Sequence, residues 1–163
     1  MKLKIRLEER LGELLQEKGL NISVAESCTG GFIAKRVTDL PGASLYFEGG
    51  VVTYSNRSKS ILLMVPEEII SKKGAVSKEV AEAMAKGVKE RLGTDIGLAV
   101  TGIAGPAGGT EEKPVGTVYI GLAIMDKADV RHFIFKGTRE EVRTSTVDAA
   151  LQFVIDYIDV VVG

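Results

Sequence analysis

Among its 163 residues the chain has one cysteine, one histidine and no tryptophan. A single cysteine excludes an internal disulfide, and no Cys/His spacing of the zinc-binding kind is present. No apolar run approaches the roughly 18 residues that a membrane-spanning helix needs. Met1-Lys2-Leu3-Lys4 leads into an alternately charged segment rather than a signal peptide. Neither sign of charge dominates: Lys+Arg 21 against Asp+Glu 22 leaves a net charge of -1, too little to draw the chain to nucleic acid or an acidic membrane. These absences predict a soluble, cytoplasmic protein with no metal, no cofactor, and no nucleic-acid or membrane partner.

What is present suits one domain, 1–163, around one core: 45% hydrophobic and 26% charged residues. Leu3, Leu7, Leu11, Leu14 and Leu15 recur at helical spacing, with Gly19 at the C-terminal cap. Ile22 to Ala25 reads as a buried strand, Phe32 to Leu40 as a helix stopped by Pro41, and Leu45 to Tyr54 as a strand bent at Gly49-Gly50. Asn56 is placed to cap a short helix through Met64, Pro66 to open another turn, and Ser77 to cap a helix closed by Gly93. Gly87 inside that helix marks a close packing contact. Asp95 to Thr101 forms a strand. Val118 to Ile124 and Val130 to Ile134 alternate as a hairpin around a turn at Met125–Asp129. Thr138 opens a long final helix with a capping-box pattern. Helices and strands alternate first, and a hairpin and a helix follow. The expectation is an α/β fold: a single three-layer α/β/α sandwich with a mixed, partly antiparallel central sheet.

Three segments carry candidate chemistry. In Ala25-Glu26-Ser27-Cys28-Thr29-Gly30-Gly31, a serine sits at a strand-to-helix junction, where side chains face a crevice at the strand's carboxyl end. Thr29, Gly30 and Gly31 offer main-chain N–H groups suited to an anion. A plain helix cap accounts for the same pattern. In Tyr54-Ser55-Asn56-Arg57-Ser58-Lys59, a lysine lies near a helix start that disfavours its charged form. It reads either as a solvated lysine or as a base with lowered pKa. The run from Thr101 to Pro114 is too long for a plain connection and too irregular for a Walker A or dinucleotide fingerprint, which points to ligand contact.

A serine nucleophile needs a base. His132 falls mid-strand and reads as a packed residue, which leaves Lys59. Tyr54 either assists proton transfer or ends its strand as a half-buried aromatic. Cys28 is a rival nucleophile or a small buried residue. Arg139 and Arg143 share a helical face, either gripping a phosphate or lying solvated. The last helix ends in Ile158, Val160, Val161 and Val162, a core or subunit contact.

Taken in order, Ala-Glu-Ser-Cys-Thr-Gly-Gly, Tyr-Ser-Asn-x-x-Lys, Gly-Ala-Val-Ser at 74–77 and Thr-Gly-Ile-Ala-Gly-Pro…Lys-Pro-Val-Gly resemble the C-terminal domain of the CinA (competence/damage-inducible) family. The likeness covers nearly the whole chain. Members often carry a separate N-terminal domain, so the chain resembles the stand-alone nicotinamide-nucleotide amidase type. The resemblance implies hydrolysis of nicotinamide mononucleotide to nicotinate mononucleotide and ammonia, in pyridine nucleotide salvage, by a homodimer. It implies Ser27 as nucleophile, Lys59 as base, and Tyr54 and Thr101 orienting them. Substrate would be held by Thr29, Gly30, Gly31, Asn56, Thr101, Gly102, Ala104, Gly105, Gly108, Arg139 and Arg143. Ala107 stands where the family commonly has glycine. A non-catalytic module that senses a pyridine nucleotide is the competing expectation. A phosphotransferase is weaker, for want of a Gly-Lys-Ser/Thr.

Overall fold

The computed structural model describes residues 4–162; Leu3 of the first leucine series lies outside them. Helices α1 (Leu7–Lys18), α2 (Phe32–Thr38), α3 (Asn56–Leu63), α4 (Glu67–Lys73), α5 (Lys78–Leu92) and α6 (Arg139–Val161) surround strands β1 (Ile22–Glu26), β2 (Phe47–Val52), β3 (Ile96–Gly102), β4 (Thr117–Ile124) and β5 (Lys127–Ile134). The strands form one sheet in the order β2-β1-β3-β4-β5. β1 runs parallel to both β2 and β3, whereas β4 pairs antiparallel with β3 and β5. The three-layer α/β fold with a mixed sheet is therefore present as expected.

Each strand divides its residues between two cores, because successive side chains point to opposite faces. Ile22 and Val24, with Leu98, Ile120 and Leu122, pack against α1, α2 and α6. The opposite face presents small residues, Ala25, Ala99 and Ala123, to α5. Gly121 belongs to that face, and a Cβ there would collide with the Ala81 carbonyl of α5. Small side chains thus bring α5 close to the sheet. On its other side α5 receives α3: at Gly87 a Cβ would collide with the Leu63 carbonyl, the close contact that the glycine had signalled.

Local chemistry sets the element ends. Gly19 and Gly93 take left-handed conformations at the ends of α1 and α5, and the hydroxyls of Ser77 and Thr138 accept N–H groups of Val80 and Glu141. Three expectations are corrected. Ser55, not Asn56, caps α3, because its side chain accepts the Ser58 N–H. The β2 irregularity falls at Glu48, just before the glycines, since Ile22 pairs with Phe47 and Ser23 with Gly49. The hairpin turn is only Met125-Asp126; Met125 adopts φ 55 and β5 begins at Lys127.

Arg36 of α2 joins three helices on the α1 side. It donates to Glu8 of α1 at 2.8 Å and to Asp148 of α6 at 2.9 Å. Burial opposes the Glu8 charge, yet the Arg36 guanidinium holds that carboxyl below its usual range. At the end of α6, Ile158 is buried while Val160 is exposed. No described helix is long and apolar enough to cross a membrane.

Candidate active site

Parallel neighbours β1 and β2 leave the sheet at the same carboxyl end, so the turns that follow them meet. β1 ends at Glu26 and turns through Ser27 into α2; β2 ends at Val52 and turns into α3, which carries Lys59 inward. Thr53 N–H donates to the Glu26 carbonyl at 2.8 Å and ties the two exits together. Ser27 and Lys59 are both buried, Lys59 to 1% exposure. Lys59 Nζ lies 2.9 Å from Ser27 Oγ, 2.7 Å from the Thr53 carbonyl oxygen and 3.3 Å from that of Tyr54.

No carboxylate pairs with this amine among the described residues, and burial pushes its pKa down to about 8. The neutral form also fits its neighbours. As placed, Nζ donates to all three oxygens; on losing one proton it keeps two N–H bonds for the carbonyls and turns its lone pair to the Ser27 hydroxyl. An ammonium has three donors and no acceptor, and so cannot take a proton from serine. The geometry is that of a hydroxyl beside a poised base.

Neighbouring groups narrow the choice of nucleophile. Burial pushes the Cys28 thiol up to about 11, which keeps it protonated at neutral pH and unreactive. His132 stacks on Tyr119 with ring centroids 4.4 Å apart on β5 and β4, a strand residue as expected.

The start of α2 is filled in part by the protein itself, beyond Gly31. Glu26, 1% exposed, fills it from within: its carboxylate accepts the Thr29 hydroxyl at 2.6 Å and the Ile33 and Ala34 N–H groups at 2.7 and 3.1 Å. Gly30 N–H donates to the Ser27 carbonyl. Among the described residues, the N–H groups of Cys28, Thr29 and Gly31 find no protein acceptor. Sequence reasoning passed over Glu26. The signal was an acidic side chain at the end of a buried strand, just ahead of a helix with no side-chain cap of its own.

The two arginines are engaged by the protein itself. Arg143 donates to the Cys28 and Thr29 carbonyls at 3.1 and 3.0 Å. Arg139 donates to the Gly105 carbonyl at 2.8 Å and to the Tyr54 hydroxyl at 3.3 Å. They frame the Ser27 turn and the glycine-rich loop, and each keeps donors to spare. Tyr54 is 64% exposed, and its phenol reaches Arg139 rather than Ser27 or Lys59. Thr101 Oγ1 donates to the Ala75 carbonyl at 2.8 Å, so it steadies the pocket wall and not the dyad.

Ser27 and Lys59 open into a pocket of about 200 Å³, also lined by Asn56, Thr101, Gly102 and Ala104. A cavity of about 750 Å³ adjoins it, lined by Thr29, Gly30, Gly31, Lys35 and Arg143; Arg139 lines both. Gly105 meets the site through its carbonyl, whereas Gly108 lines neither space. Among the described residues no three His, Cys, Asp or Glu side chains gather as metal ligands do.

A family model described as the CinA C-terminal domain matches residues 4–158. A CinA-like protein of Geotalea daltonii is 58% identical over 140 residues, 86% of this chain and 34% of that protein. A putative competence-damage inducible protein of Moorella thermoacetica is 52% identical over 89% of this chain and 35% of its own length. The chain thus spans about a third of the length of these curated relatives. Among solved structures, a competence-damaged protein (CinA) superfamily protein from Klebsiella pneumoniae superimposes with TM-score 0.91 at 30% identity, covering 94% of this chain and 96% of that one. A competence/damage inducible protein from Agrobacterium tumefaciens does so with TM-score 0.84 at 39% identity, covering 96% and 98%.

Proposed function

The chain belongs to the CinA C-terminal domain family, and from that premise we propose that it is an amidase converting nicotinamide mononucleotide to nicotinate mononucleotide and ammonia. One observation carries the reading: a buried lysine without an acidic partner stands 2.9 Å from a serine hydroxyl at the floor of a pocket. A binding module needs neither group.

In this reading the carboxamide enters the smaller pocket and Ser27 Oγ bonds to its carbonyl carbon while the hydroxyl proton passes to Lys59. The resulting oxyanion is met by the unpaired N–H groups of Cys28 and Thr29. Lys59 returns its proton to the amide nitrogen, the C–N bond breaks, and ammonia leaves a nicotinoyl ester on Ser27. Water then loses a proton to the same amine, attacks the ester, and frees the acid and the serine. At about 200 Å³ the smaller pocket falls below the usual range of about 300–1,000 Å³ for a ligand site, so it suits the amide end alone. Ribose and phosphate extend into the adjoining cavity, where Lys35 and the spare donors of Arg139 and Arg143 meet the phosphate. With Glu26 filling the α2 start, the arginine side of the cavity is the better phosphate site.

Ammonia release from nicotinamide mononucleotide, measured beside binding of the same nucleotide by calorimetry, tests this. We expect turnover in the wild type, and none detectable in Ser27→Ala, which still binds. Undiminished turnover in the serine variant would sink the mechanism. Binding without turnover in the wild type would identify a sensor.

A further inference from the structure

One side chain of the glycine-rich segment between β3 and β4 reaches the segment that joins α4 to α5. Lys113 Nζ donates to the Lys73 carbonyl at 2.9 Å and to the Val76 carbonyl at 2.6 Å. Lys73 is the last residue of α4, and its carbonyl belongs to the negative end of that helix. Gly74 intervenes with φ 82, and a Cβ there would stand 3.3 Å from the ammonium. A residue without a side chain therefore leaves the space that the lysine head needs.

The strap so gripped is a wall of the catalytic pocket. Ala75 and Val76 line it together with Gly102 and Ala104, which lie at the base of the glycine-rich segment. The same strap is held from a second side by Thr101 Oγ1 on the Ala75 carbonyl. Lys113 is in turn seated in its own loop, since its N–H donates to Thr110 Oγ1 at 3.0 Å and Thr110 N–H donates to the Lys113 carbonyl at 2.8 Å. Two walls from distant parts of the chain, 40 and 37 residues apart at these contacts, are thus pinned by one cation.

We propose that Lys113 is a positioning residue that sets the width of the pocket by fastening the 74–76 strap to the 102–116 loop. It touches neither Ser27 nor Lys59 and acts on substrate through Ala75 and Val76. This rests on the amidase reading for its kinetic consequence but not for its structural one. Charge-assisted bonds to carbonyls outweigh neutral ones, so losing the donors frees the strap without emptying the core. The effect falls on capture of the carboxamide and spares the proton transfer.

Three proteins test it: wild type, Lys113→Met, which keeps the stem and loses the donors, and Lys113→Arg, which restores donors. We expect Met to raise KM at least tenfold with kcat within threefold and the pH–rate inflection unmoved, and Arg to recover most of the loss. Amide hydrogen exchange should quicken at residues 74–77 in the Met variant and stay unchanged in α1 and α6. Unaltered KM and unaltered exchange in Lys113→Met overturn the proposal, as does an Arg variant no better than Met. If the wild type releases no ammonia, the amidase reading fails, and exchange at 74–77 alone decides for or against the clamp.

Discussion

Lys59 follows Ser27 by 32 residues in sequence, yet their polar atoms stand 2.9 Å apart because two parallel strands deliver them to one end of the sheet. In the proposed mechanism that contact ties reactivity to the protonation of a single amine, whose pKa burial lowers to about 8.

A lone base of this kind predicts that log kcat/KM rises by about one per pH unit below pH 8 and levels above it. A flat profile from pH 6 to pH 9 removes Lys59 from the role of base.

The same shift has a consequence for stability. Unfolded, Lys59 titrates at the ordinary lysine value of 10.5; folded, at about 8. Between those values the unfolded chain binds more protons, so stability rises with pH across that window, and the cost of burying the amine is fully present below about pH 8. The limit is about 3 kcal/mol. Denaturant unfolding of wild type and Lys59→Met should show the wild type gaining on the variant as pH climbs from 7 to 10. Parallel pH dependences would contradict a lowered pKa.

Glu26 holds the start of α2 and the Thr29 hydroxyl through three hydrogen bonds. Glu26→Gln puts an amide NH₂ against donors and costs about 1–3 kcal/mol. We expect melting several degrees lower and kcat down at least tenfold, because the Ser27 turn loses its anchor. Unchanged kcat with lowered stability would limit Glu26 to a structural role.

Cys28 is a buried, protonated thiol beside Ser27. Replacement by alanine should leave ammonia release within about threefold of wild type, consistent with a small apolar residue. Loss of activity on the scale of Ser27→Ala would transfer the nucleophile to sulfur.

Arg36 ties Glu8 and Asp148 into one junction. Arg36→Met leaves the Glu8 carboxylate, 6% exposed, with Arg6 alone at 3.7 Å and should lower stability by about 2–3 kcal/mol. Adding Glu8→Gln should recover part of that loss, since the two positions are coupled. Additive losses would show that the pair does not interact.

How much of this was legible depends on the range of the interaction. The Ser77 and Thr138 caps, the Gly19 and Gly93 stops and the alternation of β4 and β5 are local, and the sequence displays them. Ser55 and Asn56 are both able to cap, so their order alone could not choose between them. Met125 at positive φ shortened the hairpin turn because methionine carries no turn signal. At the site, the segments bearing Ser27 and Lys59 stood out, while their contact depends on β1 and β2 being neighbours. Glu26, Arg139 and Arg143 bond mostly to main-chain atoms and not to one another. No residue pattern announces a partner that every residue possesses, and so their duties stayed hidden.

Gly87 lies outside the pocket, yet α3 rests on α5 through it, with the Leu63 carbonyl in the space a methyl group would take. Lys59 rides on that same helix, one turn before the point of rest. The reach of the amine is therefore calibrated by the thickness of a joint that substrate never touches. A single added carbon at that joint would work as a shim, lifting the base from the alcohol while leaving every pocket-lining side chain chemically intact.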